Sequence, residues 1–321
     1  YILERFFGEY TKEEYLSLEE DKFQKIVCAY LAEYAVKYFG EEQLESNSFT
    51  YRLKTILDNV MYLMKHIMEE LSQSEFFVAD CELKIGEDIP SYTIVLPDGH
   101  KIAVCGSVDR VDIMQRADIT YLRIIDYKTG TKQFKLSDIL YGINLQMLLY
   151  LHSIEASGGD KYGEIVPAGI LYMPATVPYI SSDSLKSIDK LPDELNKKLK
   201  MNGLLLKDTE IIHGMDKTDV ATYIPVKIKA GEPVSSTSLA TLAEFGKIFK
   251  KVDMLIAEMG KNIYNGNIEA KPLKGGHDSC EYCPYDSVCA YRQSNPITCF
   301  SVDNKTVIEE ITNEINGKEE E

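Results

Sequence analysis

Asp126 and Lys128 stand two residues apart at the end of an apolar run, Arg123-Ile-Ile-Asp-Tyr-Lys128. The run reads as a strand, and side chains alternate across a strand, so the carboxylate and the amine share one face. Two further acids lie in strand-like stretches earlier in the chain: Glu82 in Cys81-Glu-Leu-Lys-Ile85 and Asp109 in Gly106-Ser-Val-Asp-Arg-Val-Asp112. If these stretches are sheet neighbours, three carboxylates meet at one end of the sheet. Carboxylates around one point repel unless a cation neutralises them. An all-oxygen donor set suits Mg²⁺ or Mn²⁺, with the backbone carbonyl of Tyr127 completing it. Such an ion polarises a phosphate oxygen and acidifies a bound water. Lys128 is then placed to orient that water or to stabilise transition-state charge. The chemistry is phosphodiester hydrolysis by in-line attack, which depends on positioning and charge stabilisation. A plainer reading stays open: Asp-x-Lys is a common surface pair, and Asp109 beside Arg110 reads equally as a salt bridge.

A second group is the segment His277-Asp-Ser-Cys-Glu-Tyr-Cys-Pro-Tyr-Asp-Ser-Val-Cys-Ala-Tyr291, in which Cys280, Cys283 and Cys289 have C-x2-C-x5-C spacing. Three thiolates need a fourth ligand for either zinc or a [4Fe–4S] cluster. His277 and Cys299 are local candidates. Cys28, Cys81 and Cys105 read as buried apolar cysteines.

The totals narrow the classes. The chain has 321 residues, 45% of them apolar and 27% charged, as in an ordinary globular protein. It contains no apolar run long enough to span a bilayer and no secretory pattern. The net charge of −16 argues against a nucleic-acid binder that works by bulk charge. There is no phosphate-binding glycine loop, so the chain is not expected to hydrolyse ATP. It starts at Tyr1 inside a helical pattern, and we expect it to be a fragment of a longer protein.

The elements that would position these residues follow from periodicity. Ser17-Leu-Glu-Glu20 has the form of a capping box, before a helical stripe from Phe23 to Tyr34 that stops at Gly40. A second stripe runs from Leu53 to Leu71. Phe76–Ile85, Tyr92–Leu96, Lys101–Met114 and Tyr121–Lys128 are expected strands, with Pro97-Asp-Gly99 as a turn. Ser137 is expected to cap a helix running to about Glu155 and closed by Gly158-Gly159, followed by a strand at Ile165–Tyr172. Beyond lie a polar stretch at Ser181–Ser187, a possible strand at Thr222–Lys229, a helix at Thr237–Tyr264 and an acidic, frayed tail after Asn304. We divide the chain into an N-terminal helical part (1–75), a core (76–175), an insertion and long helix (176–265), the cysteine segment (266–300) and the tail (301–321), all within one compact domain. The class is α/β with a central mixed sheet.

The motifs Gly106–Asp112, Asp126-Tyr-Lys-Thr-Gly130 and Gln146-Met-Leu-Leu-Tyr150 resemble, in order and spacing, the G-x-x-D-R-x-D, D-Y-K-T and Q-x-x-x-Y motifs of the PD-(D/E)XK nuclease superfamily in its RecB-like branch. The stretch from Ile124 to Leu151, and Glu194–Ile212, look closer still to the C-terminal nuclease domain of AddB-type subunits of bacterial ATP-dependent helicase–nucleases. The resemblance runs from about Phe76 to Cys289. It implies a restriction-endonuclease-like core and a cytoplasmic Mg²⁺- or Mn²⁺-dependent deoxyribonuclease. Such an enzyme acts as an exonuclease on DNA in recombinational repair, beside an AddA-like helicase partner and no membrane. It makes Asp109 and Asp126 metal ligands and Lys128 the catalytic lysine, and matches Glu82 to the acid of the first core strand. Gln146 and Tyr150 match the helix motif that faces the site and the DNA. The family's further histidine ligand precedes a stretch like Ile2–Tyr10, and His66, His100 and His152 do not match it. The resemblance also implies a [4Fe–4S] cluster on Cys280, Cys283 and Cys289, its fourth cysteine far upstream. The fragment is therefore expected to have an incomplete metal site and to lose the cluster or hold it poorly. Two competing readings are a catalytically silent scaffold for subunit docking or DNA binding, and a zinc-bearing nucleic-acid binder built on His277.

Overall fold

The computed structural model describes residues 1–130, 133–177, 191–235, 237–281, 283–289 and 296–319; the polar stretch at 181–187 lies outside these. The chain opens with helices α1 (Ile2–Glu9), α2 (Lys12–Leu16), α3 (Glu20–Phe39), α4 (Glu41–Leu44) and α5 (Asn47–Ser72). The capping box lies one helix earlier than expected. Thr11 accepts from the Glu14 backbone N–H and starts α2, whereas Ser17 ends that helix, its hydroxyl donating to the Glu14 carbonyl at 2.8 Å. Ser17 fails as a cap because α3 begins only at Glu20, whose N-cap Glu19 makes no side-chain capping bond. Gly40 ends α3 at a φ of 81°, which glycine adopts without strain. Phe23, Val27, Tyr30 and Leu31 of α3, and Met64, Ile67 and Leu71 of α5, are the buried stripes.

The strands that follow are β1 (Phe77–Ile85), β2 (Tyr92–Val95), β3 (Lys101–Val104), β4 (Gly106–Arg116) and β5 (Ile119–Lys128). The single expected strand at 101–114 is thus two, and the pieces join different sheets. A 3₁₀ turn at Leu136–Tyr141 precedes α6 (Gln146–Ser157), α7 (Gly159–Tyr162) and β6 (Glu164–Pro174). Ser137 therefore does not cap one long helix. The chain breaks at Gly142 (φ 68°) and Asn144 (φ 54°), and α6 starts afresh at Gln146.

The C-terminal half holds α8 (Leu191–Leu199), β7 (Asn202–Leu206), α9 (Thr209–Met215), β8 (Lys227–Lys229), β9 (Glu232–Val234), β10 (Leu239–Ala240) and α10 (Leu242–Tyr264), then β11 (Leu273–Gly275), α11 (Asp286–Cys289), β12 (Ile297–Cys299) and α12 (Asn304–Glu319). The expected frayed tail is this last helix. Val307, Ile311 and Ile315 recur at helical spacing and are buried in the core, and Lys251 pairs with Glu314 at 2.5 Å.

The central sheet is mixed, in the order β1-β4-β5-β6-β7-β10, and is flanked by helices. β1, β4 and β5 are antiparallel neighbours, and β5 runs parallel to β6. α6 packs on β5 and β6, and α10 packs on α6.

Beneath β4 and β5 lies a fully buried ion network. Arg110 donates to both oxygens of Asp112 (2.7 and 2.6 Å) and to Glu70 of α5 (2.9 Å). Arg123 donates to the same Asp112 (3.0 and 2.8 Å) and to the other oxygen of Glu70 (2.6 Å). All four side chains are 0% exposed. The Arg123 guanidinium also lies over the Phe76 ring, 4.8 Å from its centroid. Burial opposes ionisation of Asp112, but the two guanidiniums outweigh it and hold its carboxyl below the usual range. Asp112→Ala leaves two buried cations with Glu70 as their one acid partner, and we expect a loss of about 3–5 kcal/mol in stability by urea unfolding. A loss below about 1 kcal/mol would show that the network does not hold the strands together.

Candidate active site

The three carboxylates sit on three adjacent strands. Between the pairs Cys81–Arg110 and Leu83–Val108, Glu82 comes opposite Asp109. One step beyond the pair Arg110–Ile125, Asp109 comes opposite Asp126. Alternation turns Asp109 away from Arg110 and Asp112, so the network takes one face of β4 and leaves Asp109 to the other. Arg110 thus pairs with Asp112 and Glu70, and the alternative reading of Asp109 and Arg110 as a salt bridge does not hold.

Each acid has a distinct setting. Glu82 accepts from the Ser107 hydroxyl at 3.0 Å and has a left-handed backbone, φ 55°. Such a conformation is uncommon for a residue with a Cβ and re-aims the side chain from its strand. Asp109 accepts from the backbone N–H of Tyr127 at 2.9 Å. Burial pushes the Asp109 carboxyl above the usual range, and the charges of Asp126 and Glu82 push the same way, against the Tyr127 N–H and Lys128. Asp126 is 8% exposed and its Oδ2 pairs with Lys128 Nζ. That buried oxygen has no hydrogen-bond partner outside the ion pair. Lys128 Nζ lies 5.7 Å from the centroid of the Tyr172 ring. Burial and the Asp126 charge push the Tyr172 phenol up to about 12.

The helix motif reaches the same end of the sheet. Gln146 Nε2 donates to Tyr150 Oη at 3.4 Å. A Cβ built on Gly106 would lie 2.2 Å from that Oη, so the Tyr150 ring occupies the space a side chain at 106 would need. The first residue of the Gly106–Asp112 motif is therefore a seat for the last of the Gln146–Tyr150 motif.

Among the described residues, no three His, Cys, Asp or Glu side chains stand together as a ready metal-binding group. At the core, Asp126 is drawn to Lys128, Glu82 to Ser107 and Asp109 to the Tyr127 N–H. The donor chemistry still fits a hard divalent cation: all ligating atoms are oxygens, one is buried and short of partners, and a neighbouring carboxyl is held high by burial together with the charges of Asp126 and Glu82. The cysteine segment fits less well. Cys280 and Cys283 are half-buried and Cys289 is exposed, while Cys299 is buried at the end of β12. His277 is exposed and lines a shallow cleft with Lys135 and Asp138. Of the cysteines expected to be buried and apolar, Cys28 and Cys81 are half-buried and Cys105 is exposed, because the β3–β4 break puts Cys105 between two strands.

Several residues here escaped notice in the sequence. Glu70 and Arg123 belong to none of the motifs singled out in the sequence. His152 of α6 is a third case. Its Nε2 lies 3.2 Å from both Asp253 Oδ2 of α10 and Tyr92 Oη of β2, its Nδ1 lies 3.4 Å from Glu155, and its ring stacks on Phe249 at 4.6 Å. It clamps the helix that carries Gln146 and Tyr150. No periodicity marks a contact 101 residues apart in sequence.

The sequence profile of the PD-(D/E)XK nuclease superfamily matches residues 1–290. The chain is also similar to B-type subunits of ATP-dependent helicase/deoxyribonucleases. That of Thermoanaerobacter sp. (strain X514) is 38% identical over 246 residues, 75% of this chain and 21% of that protein. That of Alkaliphilus oremlandii (strain OhILAs) is 36% identical over 275 residues, 82% of this chain and 24% of that protein. That of Alkaliphilus metalliredigens (strain QYMF) is 33% identical over 305 residues, 91% of this chain and 26% of that protein. The chain thus spans about a fifth to a quarter of the length of these relatives.

The His152 clamp has a pH dependence of definite sign. Burial disfavours the imidazolium, but Asp253 and Glu155 outweigh it and raise its pKa to about 9. A folded pKa above the unfolded value of about 6.5 gives stability that is full below about 6.5. It is lost as pH rises through about 9. Urea midpoints of the wild type are expected to fall across that window and those of His152→Gln to stay flat. Parallel curves would remove His152 as the cause.

Proposed function

The chain belongs to the PD-(D/E)XK nuclease superfamily, and on that footing we propose that it is a divalent-metal-dependent deoxyribonuclease. Its work would be degrading DNA strands in recombinational repair as part of a longer helicase–nuclease chain, beside a helicase partner subunit. The observation that carries this reading is the buried oxygen of Asp126, partnered by Lys128 alone and set opposite Asp109 on the next strand. A structural ion pair at a strand end has no need of a second acid whose own ionisation the first one opposes.

Asp109, Asp126 and the Tyr127 carbonyl would hold Mg²⁺ or Mn²⁺, with Glu82 at the margin. When bound, the ion supplies a polarised phosphate oxygen and a water of lowered pKa. The chain's own residues do the rest. Lys128, released from Asp126, offers its ammonium to the attacking water and to the charge that grows on the phosphate oxygens. Asp126 is buried and Asp109 half-buried, which keeps the local dielectric below that of water, so that one lysine counts for more than it would there. Tyr127 fixes Asp109 through its backbone N–H, and its side chain reaches to Arg110 on the other face at 3.4 Å. Gln146 and Tyr150 present amide and phenol groups toward the strand being cut, held there by the seat at Gly106.

We read Cys280, Cys283 and Cys289 as thiolates of a structural [4Fe–4S] site, supported by their spacing and the subfamily resemblance; no step of the reaction runs through it. In the full-length protein, Cys283→Ser is expected to lose visible iron–sulfur absorbance after anaerobic purification. Zinc without sulfide in the wild type would overturn this assignment.

The reaction is tested with the full-length protein on end-labelled single-stranded DNA with Mg²⁺. Lys128→Ala is expected to cut about 10²–10³-fold more slowly, and Asp126→Ala not at all. Undiminished cutting by both variants would remove these residues from the mechanism. No cutting by the wild type, with a helicase partner present, would favour a silent scaffold.

A further inference from the structure

The ends of β5 and β6 open into a groove of about 1290 Å³ to which the chemistry at Asp126 and Lys128 gives no role. It begins at Thr129 and Gly130, directly after Lys128, and at Pro174, the register partner of Lys128 on β6. From there it passes between the last turn of α8 and the β8–β9 hairpin. Its described lining includes five lysines (Lys197, Lys198, Lys200, Lys227 and Lys229) and no aspartate or glutamate. The chain as a whole has the opposite balance, with 51 acidic and 35 basic residues.

The groove's walls are built to stand apart and face each other. Lys200 donates to the carbonyls of Ala221 (2.6 Å) and Val226 (3.0 Å), which ties the end of α8 to the root of β8. Burial lowers the Lys200 pKa, in keeping with this internal role. Ala230 and Gly231, with φ of 52° and 84°, make the two-residue turn that closes the hairpin with Lys229 opposite Glu232. Lys227 and Lys229 alternate with Ile228, so both ammonium groups are exposed on one face. The nearest acid of the hairpin, Glu232, is engaged outside the groove by the Thr209 hydroxyl at 2.6 Å. Lys197 is exposed on the opposite wall.

We infer that this groove is the track for the phosphodiester backbone of a single DNA strand entering or leaving the Asp126–Lys128 site. The inference rests on the nuclease reading and names where its substrate lies. A cationic groove whose described lining holds no carboxylate suits a polyanion with evenly spaced charges, and it begins at the residue that follows Lys128. It also accounts for how a chain of net charge −16 holds DNA: the positive charge is local, while the surplus acids lie elsewhere.

The test is fluorescence anisotropy of labelled oligo(dT) in chelator, so that binding is read without cutting. Each lysine–phosphate contact contributes roughly 0.7 to the slope of log affinity against log salt for single strands. Lys197→Ala/Lys227→Ala/Lys229→Ala is expected to lower that slope by about 2 and weaken binding at least about tenfold at low salt. A control triple, Lys22→Ala/Lys25→Ala/Lys54→Ala on α3 and α5, should bind as the wild type does. Lys→Gln at the three groove positions gives a second variant of similar bulk, and equal unfolding midpoints establish that both remain folded. Unchanged slope and affinity in folded groove variants would overturn the track while leaving the nuclease reading intact, provided Asp126→Ala still abolishes cutting. Loss of helicase-partner association with DNA binding unchanged would assign the groove to a protein partner and also overturn it. Neither binding nor cutting of DNA by the wild type would overturn the nuclease reading itself, and the track with it.

Discussion

Two guanidiniums and two carboxylates, none with any exposed surface, share the interior between α5 and the β4–β5 pair. The rest of the site follows from this arrangement. Buried ion groups add little over apolar residues of the same size, but removing one partner is severe, so they specify an arrangement more than they stabilise it. Arg110 and Asp112 lie on β4 and Arg123 on β5, and Glu70 bridges both arginines. A slip of one residue between the strands would put charges into the apolar core and turn Asp109 and Asp126 to the wrong face. The register that satisfies the network is the one that sets Asp109 opposite Asp126.

That coupling explains why one short motif carries two kinds of residue. In Gly106–Asp112, Asp109 faces the site, Arg110 and Asp112 face the network, and Gly106 makes room for Tyr150. Catalytic candidates and structural charges alternate along the strand because the strand itself alternates. The site is correspondingly polar and dense. Asp126 meets Lys128, Asp109 meets a backbone N–H and Glu82 meets Ser107, so each acid is restrained in advance of any ligand.

The strands of the core, the Asp126–Lys128 pair and the Gln146–Tyr150 helix face were legible in the sequence because short-range patterns encode them: alternation by two, helical spacing by four, and motif order. What the sequence did not reveal is long-range or depends on one backbone angle. The tail became α12 because Val307, Ile311 and Ile315 find a core contributed by distant residues, and the surrounding acids masked that stripe. The capping box was placed at Ser17 because Ser17 and Glu20 have the right spacing. Thr11 and Glu14 have it too, and the helix geometry favoured them. The break at Cys105, the partnership of His152 with Asp253 and the lysine groove all join residues with no local signature. The groove also sits in a chain whose overall charge points the other way, so the composition hid what the fold gathers.

If β4 and β5 bring Asp109 and Asp126 to bear on one divalent cation, the cation's affinity must depend on both carboxylates. Calorimetric titration of Mn²⁺ into the wild type, Asp109→Asn, Asp126→Asn and Lys128→Ala reads that dependence without any cutting. Binding heat is expected in the wild type, lost in each asparagine variant, and retained in Lys128→Ala, where Asp126 is freed from its ion pair. Heat that survives in both asparagine variants would place the cation elsewhere and break the link between the strand register and the chemistry.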